Sequence, residues 1–160
     1  MTKAINERDI TKLANEFIYH KYLFGKNKFT DFFHDLSIQE YIILYVMKEN
    51  KENGCEKTYL KDLAEKMQVA MSHMSKMIGD LKEQGLLLWT HDGDGSEGTY
   101  VTITDFGEKM LNQHENTLKE YFENVISCYG KENLVQLLSL MRELDIVMKK
   151  EFRKIDREQV

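Results

Sequence analysis

The sequence predicts a mainly α-helical chain that carries one small β-hairpin. Three observations predict it. Apolar residues recur at spacings of three and four over most of the 160 positions, the rhythm of one helix face turned to a core. One stretch breaks that rhythm: LLLWTHDGDGSEGTYVTIT, Leu86 to Thr104, has β-branched and apolar ends around three glycines and three acids. No proline occurs anywhere, so the strongest helix breaker is missing.

Composition bounds the class. Charged residues make up 31 % and hydrophobic residues 42 %, the balance of a folded globular chain and not of a disordered one. The net charge of −5 excludes an indiscriminate polycation but leaves room for a local basic patch. Cys55 and Cys128 stand far apart with neither a disulfide framework nor metal spacing, so a reducing cytoplasm is expected. MTKAINERDI has no apolar signal core, and no run approaches a membrane span.

The elements follow in order. Ile10, Leu13, Ala14, Phe17 and Ile18 lay one stripe on a first helix over roughly 6–24, which Gly25 interrupts. Ser37 and Glu40 fit a capping box that starts a second helix, and YIILYVM within it is apolar nearly all round, so this helix is expected to be central. The polar run KENKENG ends it. TYLKDLAEKM, 58–67, reads as a short helix capped by Thr58, with Leu60, Leu63, Ala64 and Met67 inward. After the turn QVA, residues 70–85 form a second short helix with Met74, Met77, Ile78 and Leu81 inward and Gly85 as its left-handed end. Ala70 stands where a capping hydroxyl is common, so the alternatives are a start at Ser72 or a cap from Gln68. Two short helices so close together predict a helix-turn-helix, and the hairpin after it predicts a wing.

Beyond Thr104 the helical period returns. Phe106, Met110, His114, Thr117, Tyr121 and Val125 mark one face of a long helix capped by Thr104 or Asp105. YGKEN breaks it. A last helix carries Leu134, Leu137, Leu138, Met141, Leu144, Met148, Phe152 and Ile155, a stripe of about six turns. That is too long to bury against so small a domain, so a partner chain is expected to cover it and the first helix.

The strings LKDLAEKMQV, MSKMIGDLKEQGLL and VTITDFGEKML carry a resemblance to the MarR family of bacterial transcription regulators. Leu63–Ala64 matches the leucine-alanine pair of the motif's first helix. Gln84–Gly85–Leu86 matches the end of its recognition helix. Ile103–Thr104–Asp105–Phe106–Gly107 matches the leucine-threonine-x-x-glycine after the wing, and Gly85 to Gly107 keeps the family spacing. The resemblance implies one domain over 1–160, with the winged helix-turn-helix at 36–107 and dimerisation helices at 1–30 and 108–160. It implies a cytoplasmic homodimer on a pseudopalindromic double-stranded DNA operator, as a ligand-responsive repressor with no membrane partner.

The DNA-facing residues expected on this reading are Lys57, Thr58, Gln68, Met71, Ser72, His73, Ser75, Lys76, Lys82, His91 and Ser96. Spacing puts Ser72, Ser75 and Lys76 opposite the apolar face, where short hydroxyls and one lysine allow close approach to bases and phosphates. The wing departs from the family. Gly95, Ser96 and Glu97 stand where arginine is usual at the loop tip, and Trp89 and Thr90 where one is common after the recognition helix. Residues 57–110 hold six lysines against nine acids and no arginine. A wing without such cations is expected to be structural or weakly engaged. The same feature supports a rival reading: a winged-helix dimer with little DNA affinity that acts through protein partners.

Relatives lodge small aromatic or lipophilic effectors between the dimerisation helices and the reading head. Tyr19, Tyr22, Phe29, Phe33, Tyr41 and Tyr45 are the corresponding aromatic candidates here, with dimer core as their alternative role. No metal site is expected, since His20, His34, His73, His91 and His114 lack ligand spacing. DGDGSEG lacks the twelve-residue ligand series of a calcium loop. No nucleophile triad, P-loop or dinucleotide fingerprint appears, so neither an enzyme nor a cofactor is expected.

Overall fold

The computed structural model describes residues 6–91 and 98–158, the side chains of 29, 30 and 158 excepted. The order is α1 (Glu7–Gly25), a 3-10 turn at Lys28–Phe32, α2 (Ile38–Glu52), β1 (Thr58–Tyr59), α3 (Leu60–Met67), α4 (Met71–Glu83), β2 (Leu87–His91), β3 (Thr99–Ile103), α5 (Asp105–Tyr129) and α6 (Lys131–Glu158). The chain divides into two compact units, Met1–His114 and Glu115–Val160.

The first unit holds the winged helix-turn-helix. Its core is built by Ile43, Leu44, Val46 and Met47 of α2, Leu63 and Ala64 of α3, and Met74, Met77, Ile78 and Leu81 of α4. Leu86, Leu87, Val101 and Leu111 close it from the wing and α5. The second helix is less uniformly buried than its composition predicts: Ile42 and Tyr45 are exposed, so α2 has two faces.

Ser37 and Glu40 make the expected capping box. The Glu40 amide donates to Ser37 Oγ at 3.1 Å and the Ser37 amide to Glu40 Oε2 at 2.7 Å. Each bond satisfies an amide that the helix itself leaves unpaired. Ser37→Ala is expected to cost about 1 kcal/mol, read as a lowered denaturation midpoint.

The hairpin forms as expected, with Trp89 opposite Val101 and His91 opposite Thr99. The sheet also has a third strand that the sequence reading missed. Thr58 and Tyr59 pair antiparallel with Val101 and Tyr100, giving the order β1-β3-β2. Thr58 is therefore a strand residue and no helix cap; α3 starts at Leu60 without a side-chain cap. The turn into α4 rests on Gln68, whose φ of 56° lies in the left-handed region, and α4 begins at Ala70 as its N-cap with no side-chain cap bond. The helix thus starts at Met71 and not at Ser72, and Gln68 does not cap it.

Thr104 locks the wing to α5. Its hydroxyl donates to Gly85 O at 2.7 Å and accepts from the Gly107 amide at 3.0 Å, capping the helix as expected. The buried face of the first turns of α5 is Gly107 and Leu111, not Phe106, which is exposed. Lys51 of α2 pairs with Glu108 of α5 at 2.5 Å, and that hydrogen bond and charge hold its ammonium pKa above the usual lysine value. The pair is exposed, so its contribution to stability is small.

α1 and α6 differ from the rest. α1 buries no residue, and Ile10, Leu13, Phe17, Ile18, Leu23 and Phe24 are exposed along it. In the second unit, α6 leaves Leu138, Met141, Leu144, Met148, Phe152 and Ile155 exposed.

Candidate nucleic-acid interface

α4 has one buried and one open side. Met74, Ile78 and Leu81 are fully buried and Met77 nearly so, because three- and four-residue spacing stacks them on the face toward α2 and α3. Ser72, His73 and Lys76 are exposed on other faces, and Ser75 is partly exposed. Met71 is also exposed, at the first turn. The sequence-expected reading face is thus one solvent-facing surface.

Its electrostatics come from the backbone as much as from side chains. Ala70 supplies no cap, and the first turn holds no acid. The amides of Met71, Ser72 and His73 are left to whatever approaches the helix start, and the helix dipole adds partial positive charge there. A phosphate satisfies both.

The remaining expected contacts scatter. Gln68 is exposed in the turn before α4. Lys82 is exposed near the far end of α4, about 15 Å along the axis from Ser72. Lys57 lies over the Tyr100 ring, 4.6 Å from its centroid, and Tyr100 packs edge-on to Tyr59 at 5.9 Å. Thr58 is buried, and its hydroxyl accepts from Asn50 Nδ2 at 3.0 Å, so it is spent inside the protomer and is no contact residue. In the wing, His91 is exposed and its Nδ1 shares a 2.7 Å hydrogen bond with Thr99 Oγ1. Trp89, at an arginine position of the family, packs on the core. Ser96 lies outside the described residues, as do the acids at 92, 94 and 97.

The aromatic candidates separate into groups. Phe33 and Tyr41 meet with ring centroids 4.9 Å apart, and His114, absent from the expected set, stacks on Phe33 at 6.0 Å with its Nδ1 2.9 Å from Met110 O. Only its place on the α5 stripe signalled it. Tyr45 reaches Glu49 at 3.4 Å. Tyr19 and Tyr22 are exposed on α1; Tyr22 carries Lys26 over its ring and lines a groove of about 380 Å³ with Ile18, Lys21 and Gly25. The Phe29 side chain lies outside the described residues. Among the described residues, no group of three or more His, Cys, Asp or Glu is placed to hold a metal ion. None of the described helices is long and apolar enough to cross a membrane.

No protein-family model matches the chain. A curated relative, the uncharacterised HTH-type transcriptional regulator YpoP of Bacillus subtilis, is 27 % identical over 111 residues, covering 69 % of this chain and 75 % of its own. The transcriptional regulator BldR from Sulfolobus solfataricus superposes with a TM-score of 0.65 at 20 % identity, covering 88 % of this chain and 97 % of BldR. A MarR family protein from Bacillus stearothermophilus gives 0.61 at 18 % identity, covering 91 % and 99 %. BpsR from Bordetella bronchiseptica, described with regulation of its DNA binding by 6-hydroxynicotinic acid, gives 0.62 at 15 % identity, covering 80 % and 98 %. YpoP and BldR are described as transcriptional regulators. The fold of this chain is that of the MarR family of winged helix-turn-helix transcription regulators.

Proposed function

We propose that the protein is a MarR-type regulator that binds a pseudopalindromic DNA operator as a homodimer, in the cytoplasm, as a repressor answering to a small aromatic or lipophilic effector. One observation carries the DNA reading: α4 exposes Ser72 and Lys76, and Ser75 in part, and starts without a side-chain cap, while Met74 and Met77 are buried on its other face. The apolar faces of α1 and α6, uncovered within the protomer, support the dimer. Helices 1–30 and 108–160 serve it, and 36–107 reads DNA. The Phe33–Tyr41–His114 cluster supports the effector, because aromatic walls with a few polar groups suit such ligands. That BpsR is described as controlled by a small hydroxylated ring supports the same assignment.

The test is a mobility shift with DNA upstream of the protein's own gene at several salt concentrations. Lys76→Ala is expected to weaken binding roughly tenfold and to lower the salt slope by about one phosphate contact. Absence of binding at low salt removes the reading.

The excess of acids over lysines in 57–110 favours a second reading, a dimer acting through protein partners. It predicts no salt-dependent DNA binding at all, so the same titration separates the two.

A further inference from the structure

We propose that Met71 determines sequence specificity by reading the 5-methyl group of a thymine in the major groove. The inference rests on the DNA-binding reading above and adds which base chemistry the surface selects. Met71 sits in the first turn of α4 and is 48 % exposed, whereas the other methionines of that helix, Met74 and Met77, are buried. A single exposed methionine is ordinary in itself. What distinguishes this one is its company. With 3.6 residues per turn, Ser75 lies within about 40° of it around the axis and Gly79 within about 80°. Ser72, Ser75 and Gly79 give this side of the helix low relief, and beyond Gly79 there is nothing within 4 Å of where a Cβ would stand. Such a surface lets the axis come close to base edges. Over the first two turns Met71 and Lys76 are the long side chains at its two margins, and Lys82 and Glu83 follow only at the far end of the helix.

The chemistry then narrows. Met71–Glu83 contains no arginine, asparagine or glutamine, so it has neither the guanidinium fork for guanine nor the amide pair for adenine. Serine hydroxyls and the exposed His73 imidazole accept from or donate to several base edges and discriminate little. Lys76 offers a point charge, which serves a phosphate as well as a guanine. An apolar side chain recognises one major-groove feature of unmodified DNA, the thymine methyl. The half-site is therefore marked by a thymine under the start of α4, set by burial of the Met71 thioether against its methyl.

The test uses the full-length dimer. Duplexes that bind are enriched from a random pool, and each thymine of the enriched half-site is replaced in turn by deoxyuridine, which removes only the methyl. At one position per half-site the unmutated protein is expected to lose about fourfold in affinity, the worth of one buried methyl-sized group. Met71→Ala is expected to bind the thymine and uracil duplexes equally. Met71→Leu, which keeps the apolar reach, retains the preference. Lys76→Ala weakens both duplexes and leaves their ratio unchanged. If no thymine is sensitive to loss of its methyl, or if Met71→Ala keeps the full preference, the proposal is overturned while DNA binding stands. If no duplex is enriched, the DNA-binding reading falls and takes this inference with it.

Discussion

Gly107→Ala loses about 3 kcal/mol of stability, although alanine is the better helix former. Gly107 lies in the first turn of α5, where a Cβ would stand 2.1 Å from Leu86 O and 2.9 Å from Ile103 Cγ1. The nearer atom is backbone and is held in place. Leu86 O accepts from the Thr104 amide at 3.1 Å, and Thr104 in turn bonds Gly85 O and the Gly107 amide. No rotamer change relieves the clash, so the wing must part from α5 or the helix start must unwind. The propensity gain of about 1 kcal/mol does not offset that. Gly79→Ala is the matched control. It is the same change inside a helix, with open space around the new methyl, and is expected to stabilise by up to about 1 kcal/mol. Denaturant midpoints at one fixed protein concentration measure both, since the stability of the proposed dimer would depend on concentration. Equal shifts of the two variants would refute the steric argument.

That pair of glycines also shows what a sequence discloses. The capping box at Ser37, the inward methionines of α4 and the left-handed Gly85, with φ of 74°, were legible because each depends on a local rule. The role of Gly107 as a point of close approach depends on the backbone at Leu86, on the far side of the wing, and has no local signature. β1 escaped for the same reason. Two residues carry no periodicity, and only pairing with β3 makes Thr58 and Tyr59 a strand. That pairing buries Thr58, so one expected contact residue is consumed by the fold. Spacing sets Phe106 on one face with Met110 and His114, yet Phe106 is exposed, and Gly107 and Leu111 are the buried residues of the helix. The polar stripe of α4 opposite its apolar one was legible from three- and four-residue spacing. The grouping of Phe33 and Tyr41 with His114, apart from Tyr19 and Tyr22, needed three dimensions.

Leu144→Glu combined with Met148→Glu on α6 is expected to give the largest functional loss. Both side chains are exposed, at 43 % and 48 %, so the substitutions remove nothing from the buried core. They sit four residues apart on one face, with Met141 a turn before and Phe152 a turn after, and two carboxylates there make burial against a second copy costly. The isolated chain keeps its helical content, and on the proposed dimer light scattering reports a mass falling from twice 18.9 kDa to 18.9 kDa. Operator affinity falls with it by two orders of magnitude or so, because the second half-site is no longer bound at the effective concentration that linkage provides. Lys76→Ala acts differently: it weakens each half-site contact and leaves the mass at the dimer value. A double-glutamate variant that stayed dimeric would place the subunit contact elsewhere than on this stripe of α6. One that became monomeric yet bound its operator undiminished would mean that a single α4 supplies the recognition alone.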